Sequence, residues 1–110
     1  MVATSSARAG VLSLVKSLAG ELAPDGIRVN SILIGIVESG QWRRRFHSEA
    51  RAGQTWEDWT ADIAHKKNIP LGRFGRPEEA ARALVYLAGP LSSYTTGSHI
   101  DVSGGFARHV

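Results

Sequence analysis

The sequence of 110 residues contains no cysteine and no apolar run long enough to cross a membrane. Without cysteine the chain can form no disulfide framework, iron–sulfur cluster, thiolate zinc site or thiol nucleophile. A membrane helix needs about 18 consecutive apolar residues, and a secretory signal needs a charged and then an apolar region. Because the N-terminus is small and polar, we expect a chain that neither spans a membrane nor is exported, with the cytoplasm as its compartment.

Several short motifs that carry chemistry are also absent. The sequence has no Gly-x-Gly-x-x-Gly turn, no Gly-Lys-Ser/Thr phosphate loop, no Gly-x-Ser-x-Gly elbow and no His-Glu-x-x-His pair. Its four histidines are dispersed, and the carboxylates of Asp58 and Asp62 share their segment with Lys66, which is typical of a solvated helix face. The net charge of +3 includes one short basic cluster, Arg43–Arg45. We therefore expect neither a metal site nor a nucleic-acid partner.

The first part of the chain has the periodicity of one amphipathic helix. Its apolar residues recur at steps of three and four: Ala7, Val11, Leu14, Val15, Leu18 and Leu22. The pattern predicts a helix over Ser5–Ala23 with one buried stripe, capped at its start by Thr4, Ser5 or Ser6. Pro24 and Gly26 end this helix, because proline disfavours helix at the residue before it and glycine permits a turn.

Two short strands are predicted, with a helix before the second. Ile27–Ile34 alternates at first and then becomes continuously apolar, which is typical of a strand in a covered parallel sheet. Pro77 is a favourable first helical residue, Gly89 ends that helix, and His99–Val102 is the second strand. Both strands need sheet neighbours on either side. The residues therefore favour one half of an α/β sheet.

The segment between the strands, Gly35–Ile69, has a looser pattern and is predicted to be the most mobile part of the chain. Within it, spacing favours a helix over Trp56–Lys66, and a second helix over Arg43–Arg51 is an alternative to a loop. Aromatic residues at helical spacing more often pack than bind ligands.

Four ordered blocks resemble the short-chain dehydrogenase/reductase family. They are Ser6–Asn30, Ile69–Ala80, Tyr86–Ala88 and the stretch from Thr96–Gly97 to Ile100–Gly105. The resemblance implies a doubly wound parallel, Rossmann-like sheet that holds NAD or NADP across its carboxyl edge. It makes residues 1–110 the carboxyl-terminal part of a single dinucleotide-binding domain. The family's glycine-rich half and catalytic serine precede the position of Met1, which is therefore expected to be an internal start, a fragment end or a misassigned start.

The resemblance places Thr4 and Arg8 where the family has its catalytic Tyr and Lys. In the family the lysine orients the nicotinamide ribose and lowers the tyrosine pKa for proton exchange with the substrate oxygen. A threonine hydroxyl is far less acidic than a phenol, and Arg8 can donate hydrogen bonds to a ribose but stays protonated. We expect an atypical catalytic pair, with a helix cap as the alternative role of Thr4 and a surface ion pair as that of Arg8.

The resemblance also implies a cofactor-binding segment after the first strand. Ile34, Gly35, Val37 and Ser39 occupy the family's Pro-Gly-x-Val-x-Thr pattern, which holds the nicotinamide carboxamide, with Ile for Pro and Ser for Thr. Gln41–Asn68 corresponds to the family's variable substrate lid. Its aromatic residues either line an apolar pocket or pack on one another.

Three hypotheses for the function follow. The first is an oxidoreductase that transfers hydride between NAD(P) and a small carbonyl or alcohol substrate. The second is a non-catalytic dinucleotide-binding or oligomerisation protein, and the third is an inactive truncated fragment. The family resemblance further implies a homo-oligomer formed through the Ser5–Ala23 helix and through the last helix and strand.

Overall fold

The computed structural model describes residues 2–106, with side chains from residue 6 onward. The elements in chain order are α1 (Val2–Leu22), β1 (Ser31–Ile34), α2 (Gly40–Glu49), α3 (Trp56–Lys66), α4 (Pro77–Ala88) and β2 (His99–Val102). Short 3₁₀ turns follow α1 and α4, at Ala23–Asp25 and Pro90–Ser92. Prediction and structure agree on the bounds of α3 and β2, and α2 starts three residues before the predicted Arg43.

The two strands lie side by side in a parallel sheet, with Ser31 opposite His99 and Ile34 opposite Val102. Parallel strands require a crossover connection, and α4 supplies its last part by packing on both strands. Leu33 of β1 and Leu87 of α4 are buried. The predicted α/β class is confirmed.

β1 begins at Ser31, four residues after the predicted start at Ile27. The reason lies in Arg28, which extends into the loop before β2. Its guanidinium donates hydrogen bonds to the carbonyl oxygens of Ser92, Thr95 and Gly89, at 2.8, 3.0 and 3.1 Å. The side-chain amide of Asn30 also donates to the Thr95 carbonyl, at 3.0 Å. Residues 27–30 are thus held by the loop and do not extend the ladder.

α1 starts at Val2, before the predicted Ser5, and ends at Leu22. The prediction that Thr4, Ser5 or Ser6 caps this helix was wrong, because all three positions lie inside it. A continuous helical backbone places positions 4 and 8 one turn apart on the same side.

The prediction of one buried stripe on α1 was only partly right. Ala19 is buried, but Val11 and Leu14 are 50% and 57% exposed. Among the described residues, α1 packs extensively only on the turn that follows it. The apolar side that carries Val11 and Leu14 is therefore only about half covered within residues 2–106.

The middle segment, predicted to be mobile, forms two helices around an aromatic cluster. The rings of Trp42 and Phe74 are 4.9 Å apart, and those of Phe46 and Trp59 are 5.7 Å apart, both edge to face. Trp59 and Phe74 are buried. We call residues 40–74 the cap. Its aromatic side chains contact one another, which supports the packing alternative over a ligand pocket.

No helix within residues 2–106 is both long and apolar enough to cross a bilayer.

Candidate functional site

The site predicted after the first strand lies at the carboxyl end of β1. Ile34, Gly35, Val37 and Ser39 lie on one short segment that leaves the sheet and leads into α2. Ile34 and Ser39 are exposed, whereas Gly35 and Val37 are half-buried. Ligands of open parallel α/β sheets bind outside the carboxyl ends of the strands. The predicted cofactor residues therefore lie at the edge of the sheet where ligands of this class of fold bind.

The segment is held by a short parallel bridge between Val37 and Gly75. The Glu38 amide donates to the Gly75 carbonyl at 2.9 Å, and the Gly75 amide donates to the Ile36 carbonyl at 2.9 Å. We call residues 36–38 together with Gly75 the neck, because it joins the sheet to the cap.

These bonds leave one backbone edge of the neck open. In extended chain, the carbonyl of Ile36 and the amide of Glu38 point to one side, and the N–H and C=O of Val37 point to the other. Within the described part of the chain, the backbone N–H and C=O of Val37 have no hydrogen-bond partner. One donor and one acceptor, side by side, match the acceptor and donor of a carboxamide.

Position 35 requires glycine because of a contact within the protein. A Cβ at this position would lie 2.7 Å from the Cβ and 2.9 Å from the Cα of Ser103. The Gly35 amide also donates to the Val102 carbonyl at 3.0 Å. Glycine is thus needed here for the contact between the ends of β1 and β2, whether or not a ligand also approaches.

Ser39 is the N-cap of α2, because its hydroxyl accepts a hydrogen bond from the Trp42 amide at 3.4 Å. Its side chain is therefore already used by the helix, although a hydroxyl has further capacity for hydrogen bonding.

The residues predicted for catalysis are on a different element. Arg8 is a half-buried residue of α1, and the side chain of Thr4 lies outside the described residues.

The residues that lead from the cap into α4 are held by an ion pair that the sequence did not predict. The Arg73 guanidinium donates to both carboxylate oxygens of Glu79, at 2.8 and 2.9 Å. Hydrogen bonds from Arg73 and from the backbone of Arg76 lower the pKa of Glu79 to about 2. The hydrogen bonds to Glu79 raise the pKa of Arg73. Glu79 lies in the first turn of α4, where a carboxylate suits the positive end of the helix, but nothing in the sequence identified its arginine partner.

A cavity of about 210 Å³ lies between the neck and the strand ends. Ile36, Gly75, Leu71, Ser103 and Gly104 are among the residues that line it. The hydroxyl of Ser103 is buried and has no hydrogen-bond partner among the described residues. Over the same residues, no group of three or more His, Asp or Glu side chains could hold a metal ion.

The sequence profile of a family described as enoyl-(acyl carrier protein) reductase matches residues 1–107. The chain belongs to the short-chain dehydrogenase/reductase family. Among curated members, it is 40% identical over 105 residues to an uncharacterised short-chain type dehydrogenase/reductase of Sinorhizobium fredii, covering 96% of this chain and 37% of that protein. It is 37% identical over 107 residues to a 3-oxoacyl-(acyl-carrier-protein) reductase of Aquifex aeolicus, covering 92% and 36%.

Solved short-chain dehydrogenase/reductase structures match the fold. A short-chain oxidoreductase of Pseudomonas aeruginosa, described as containing an atypical catalytic centre, is 65% identical with a TM-score of 0.92, covering 98% of this chain and 41% of that one. Its NADPH-bound form superimposes with a TM-score of 0.87, covering 100% and 40%. The chain thus spans about two fifths of these structures, and NAD(P) is the cofactor class of the family.

Proposed function

We propose that this chain is the carboxyl-terminal part of an NAD(P)-dependent oxidoreductase domain that transfers hydride between its cofactor and a small carbonyl or alcohol substrate. The observation that carries the proposal is the open backbone edge of Val37 at the carboxyl end of the sheet. The identity of 65% with an oxidoreductase whose NADPH complex is known supports it.

The residues present fit the nicotinamide end of such a cofactor. The N–H and C=O of Val37 can bond a carboxamide in both directions, and Ser39 adds a hydroxyl beside them. The nicotinamide supplies the hydride acceptor or donor when bound. This segment would fix the carboxamide and hence the rotation of the ring. Ile34 and Gly35 would border the ring from the strand end.

We assign Arg8 to the ribose of the cofactor and Thr4 to the neighbouring catalytic position. Arg8 can donate hydrogen bonds to ribose hydroxyls and supplies a fixed positive charge. It cannot lower the pKa of a phenol here, because Thr4 has none. The proton that accompanies hydride transfer would then come from water or from a residue outside this chain. The atypical centre described for the Pseudomonas oxidoreductase supports a departure of this kind.

The shape of the chain is consistent with part of a larger domain. Its radius of gyration is 16.9 Å, whereas a compact domain of this length has about 13 Å. The uncovered side of α1, with Val11 and Leu14, is the surface that further elements or a second copy would cover. We propose that the full protein is a homo-oligomer that uses α1 and the pair α4 and β2, as the family resemblance implies.

Turnover tests the proposal in a longer form of the protein that adds the amino-terminal nucleotide-binding half. We expect NADPH or NADH oxidation, followed at 340 nm, with at least one member of a panel of carbonyl substrates. A protein that binds dinucleotide but turns over no carbonyl or alcohol would contradict the enzymatic function.

The absence of a phenol at position 4 favours a second candidate, a dinucleotide-binding protein without catalysis. The double variant Thr4→Tyr with Arg8→Lys separates the two functions. A gain of activity from zero indicates a protein that has lost its chemistry. Activity in the wild type indicates a working atypical site.

A further inference from the structure

The two open backbone groups of Val37 are each oriented by a hydrogen bond to Gly75. A peptide unit is planar and trans, so its C=O and its N–H point in opposite directions and turn together. The Val37 N–H shares a plane with the Ile36 carbonyl, which accepts from the Gly75 amide at 2.9 Å. The Val37 C=O shares a plane with the Glu38 amide, which donates to the Gly75 carbonyl at 2.9 Å. Gly75 therefore sets the direction of both open groups.

The two peptide units of Gly75 are held at their opposite ends in the same way. The Gly75 N–H shares a plane with the Phe74 carbonyl, which accepts from the Arg73 guanidinium at 3.0 Å. The Gly75 C=O shares a plane with the Arg76 amide, which donates to a carboxylate oxygen of Glu79 at 2.9 Å. Both of these ends point away from residues 36–38. Arg73 and Glu79 thus orient Gly75 from the side opposite to the open edge.

Glu79 joins these two contacts, because its carboxylate also binds Arg73. The Arg73 guanidinium donates to both carboxylate oxygens, at 2.8 and 2.9 Å. Glu79 is anchored by its place in the first turn of α4, a helix that packs on both strands. Its pKa of about 2 keeps the carboxylate charged at neutral pH. A helix cap needs only the bond from the Arg76 amide, so the bonds from Arg73 are additional and connect Glu79 to the second peptide unit of Gly75.

The carboxylate of Glu79 is two chain segments away from the open edge of Val37. The stretch around Gly75 and residues 36–38 lie between them, and neighbouring extended segments are about 4.8 Å apart. A ligand bound at that edge is therefore out of reach of Glu79. Any effect of Glu79 on the ligand has to pass through the peptide units that flank Gly75 and Val37.

We propose that Glu79 is a positioning residue for the cofactor. Together with Arg73 it fixes the peptide units of Gly75, and these fix the N–H and C=O of Val37 in the direction that binds the nicotinamide carboxamide. The inference rests on the proposed function, which supplies the ligand at Val37. It adds that the precision of this contact is set by residues at the start of α4 that the cofactor does not touch.

Calorimetric titration of the longer form, which adds the amino-terminal nucleotide-binding half, tests this role. The dinucleotide that binds more tightly, NADPH or NADH, is compared with the same molecule lacking its nicotinamide, 2′-phospho-ADP-ribose or ADP-ribose. Glu79→Ala should weaken dinucleotide binding about fivefold, the effect of one hydrogen bond, and leave binding of the truncated ligand unchanged. Glu79→Gln keeps an acceptor for the Arg76 amide and should lie between Glu79→Ala and the wild type. The matched control, Glu78→Ala, removes the same charge one residue earlier and should change neither affinity.

A variant of the partner tests whether the two side chains act together. Arg73→Ala should weaken dinucleotide binding by a factor similar to that of Glu79→Ala. The double variant should weaken it by less than the product of the two single factors, because both residues hold the peptide units of Gly75. Single effects that multiply in the double variant would contradict a shared action.

The positioning role is overturned if Glu79→Ala and Glu79→Gln bind the dinucleotide as tightly as the wild type. It is also overturned if they weaken both ligands equally, which is the result expected of a purely structural residue. If Glu79→Ala does not fold, Glu79→Gln decides by the same criteria. A failure of the proposed function looks different and removes the inference with it: the wild type then binds no dinucleotide, or Val37→Pro binds it as the wild type does.

Discussion

The cap and α1 use their apolar residues in opposite ways. In the cap, Trp59 and Phe74 are buried, and their rings contact other aromatic rings of the cap. In α1, Val11 and Leu14 are half-exposed or more, although they recur at helical spacing. The segment predicted to be mobile thus forms helices with buried aromatic residues, and the helix predicted to bury one stripe leaves part of that stripe exposed. Periodicity shows that a face needs burial, but not that its partner lies in the same stretch of chain.

The largest effect is expected from Trp59→Ala, which removes the centre of the cap. Loss of a buried tryptophan should destabilise the cap by about 3–5 kcal/mol, because the cavity left behind cannot collapse between rigid rings. All three tryptophans lie in the cap, so the emission of Trp42 and Trp56 during urea unfolding reports on the cap directly. An unchanged midpoint would show that the cluster does not stabilise the cap.

A smaller effect is expected from Arg28→Ala at the base of the sheet. The change removes the guanidinium hydrogen bonds to the carbonyl oxygens of Ser92, Thr95 and Gly89 and should cost about 2 kcal/mol. Thermal unfolding followed by far-UV circular dichroism measures it. Arg82→Ala, which removes an exposed arginine from α4, is the control and should be nearly neutral. Equal losses from both variants would assign the effect to charge alone.

The link between the cap and α4 should depend on pH. The folded-state pKa of Glu79 is about 2, below the ordinary 4.5. A lowered pKa in the folded state means that the stabilisation is complete above pH 4.5 and is lost as the pH falls toward 2. Acid unfolding curves of the wild type should therefore slope more steeply in this window than those of Glu79→Gln. Parallel curves would refute a stabilising role for the pair.

The smallest effect is expected on α1. Leu14→Ala removes a side chain that is 57% exposed, so it should change the stability of this chain by less than about 0.5 kcal/mol. In a longer form that covers α1, the same change should cost more. Equal effects in the two forms, measured by urea unfolding, would show that the side of α1 with Val11 and Leu14 stays uncovered.

Local signals predicted most of the elements. Pro77 marks the start of α4, and the spacing of Trp56 and Trp59 marks α3. Interactions between distant residues were not predictable, since Arg28 bonds carbonyl groups more than sixty positions away and so delays the start of β1.

The candidate site was predictable in part. Its segment Ile34–Ser39 was implied by the resemblance to the family's Pro-Gly-x-Val-x-Thr pattern, but the open edge of Val37 depends on which of its neighbours bond Gly75. The contact with Ser103 that requires glycine at position 35 likewise becomes evident only when both strand ends are in place. The roles of Thr4 and Arg8 stay predictions.

The most direct test of the proposed function is a titration of NADPH and NADH into the longer form of the protein, followed by nicotinamide fluorescence. Val37→Pro removes the one N–H assigned to the carboxamide, while Val37→Ala keeps it. We predict that the proline variant binds about tenfold more weakly and that the alanine variant binds like the wild type, with equal far-UV circular dichroism for all three. Equal affinities for all three proteins, or no binding by the wild type, would contradict the account.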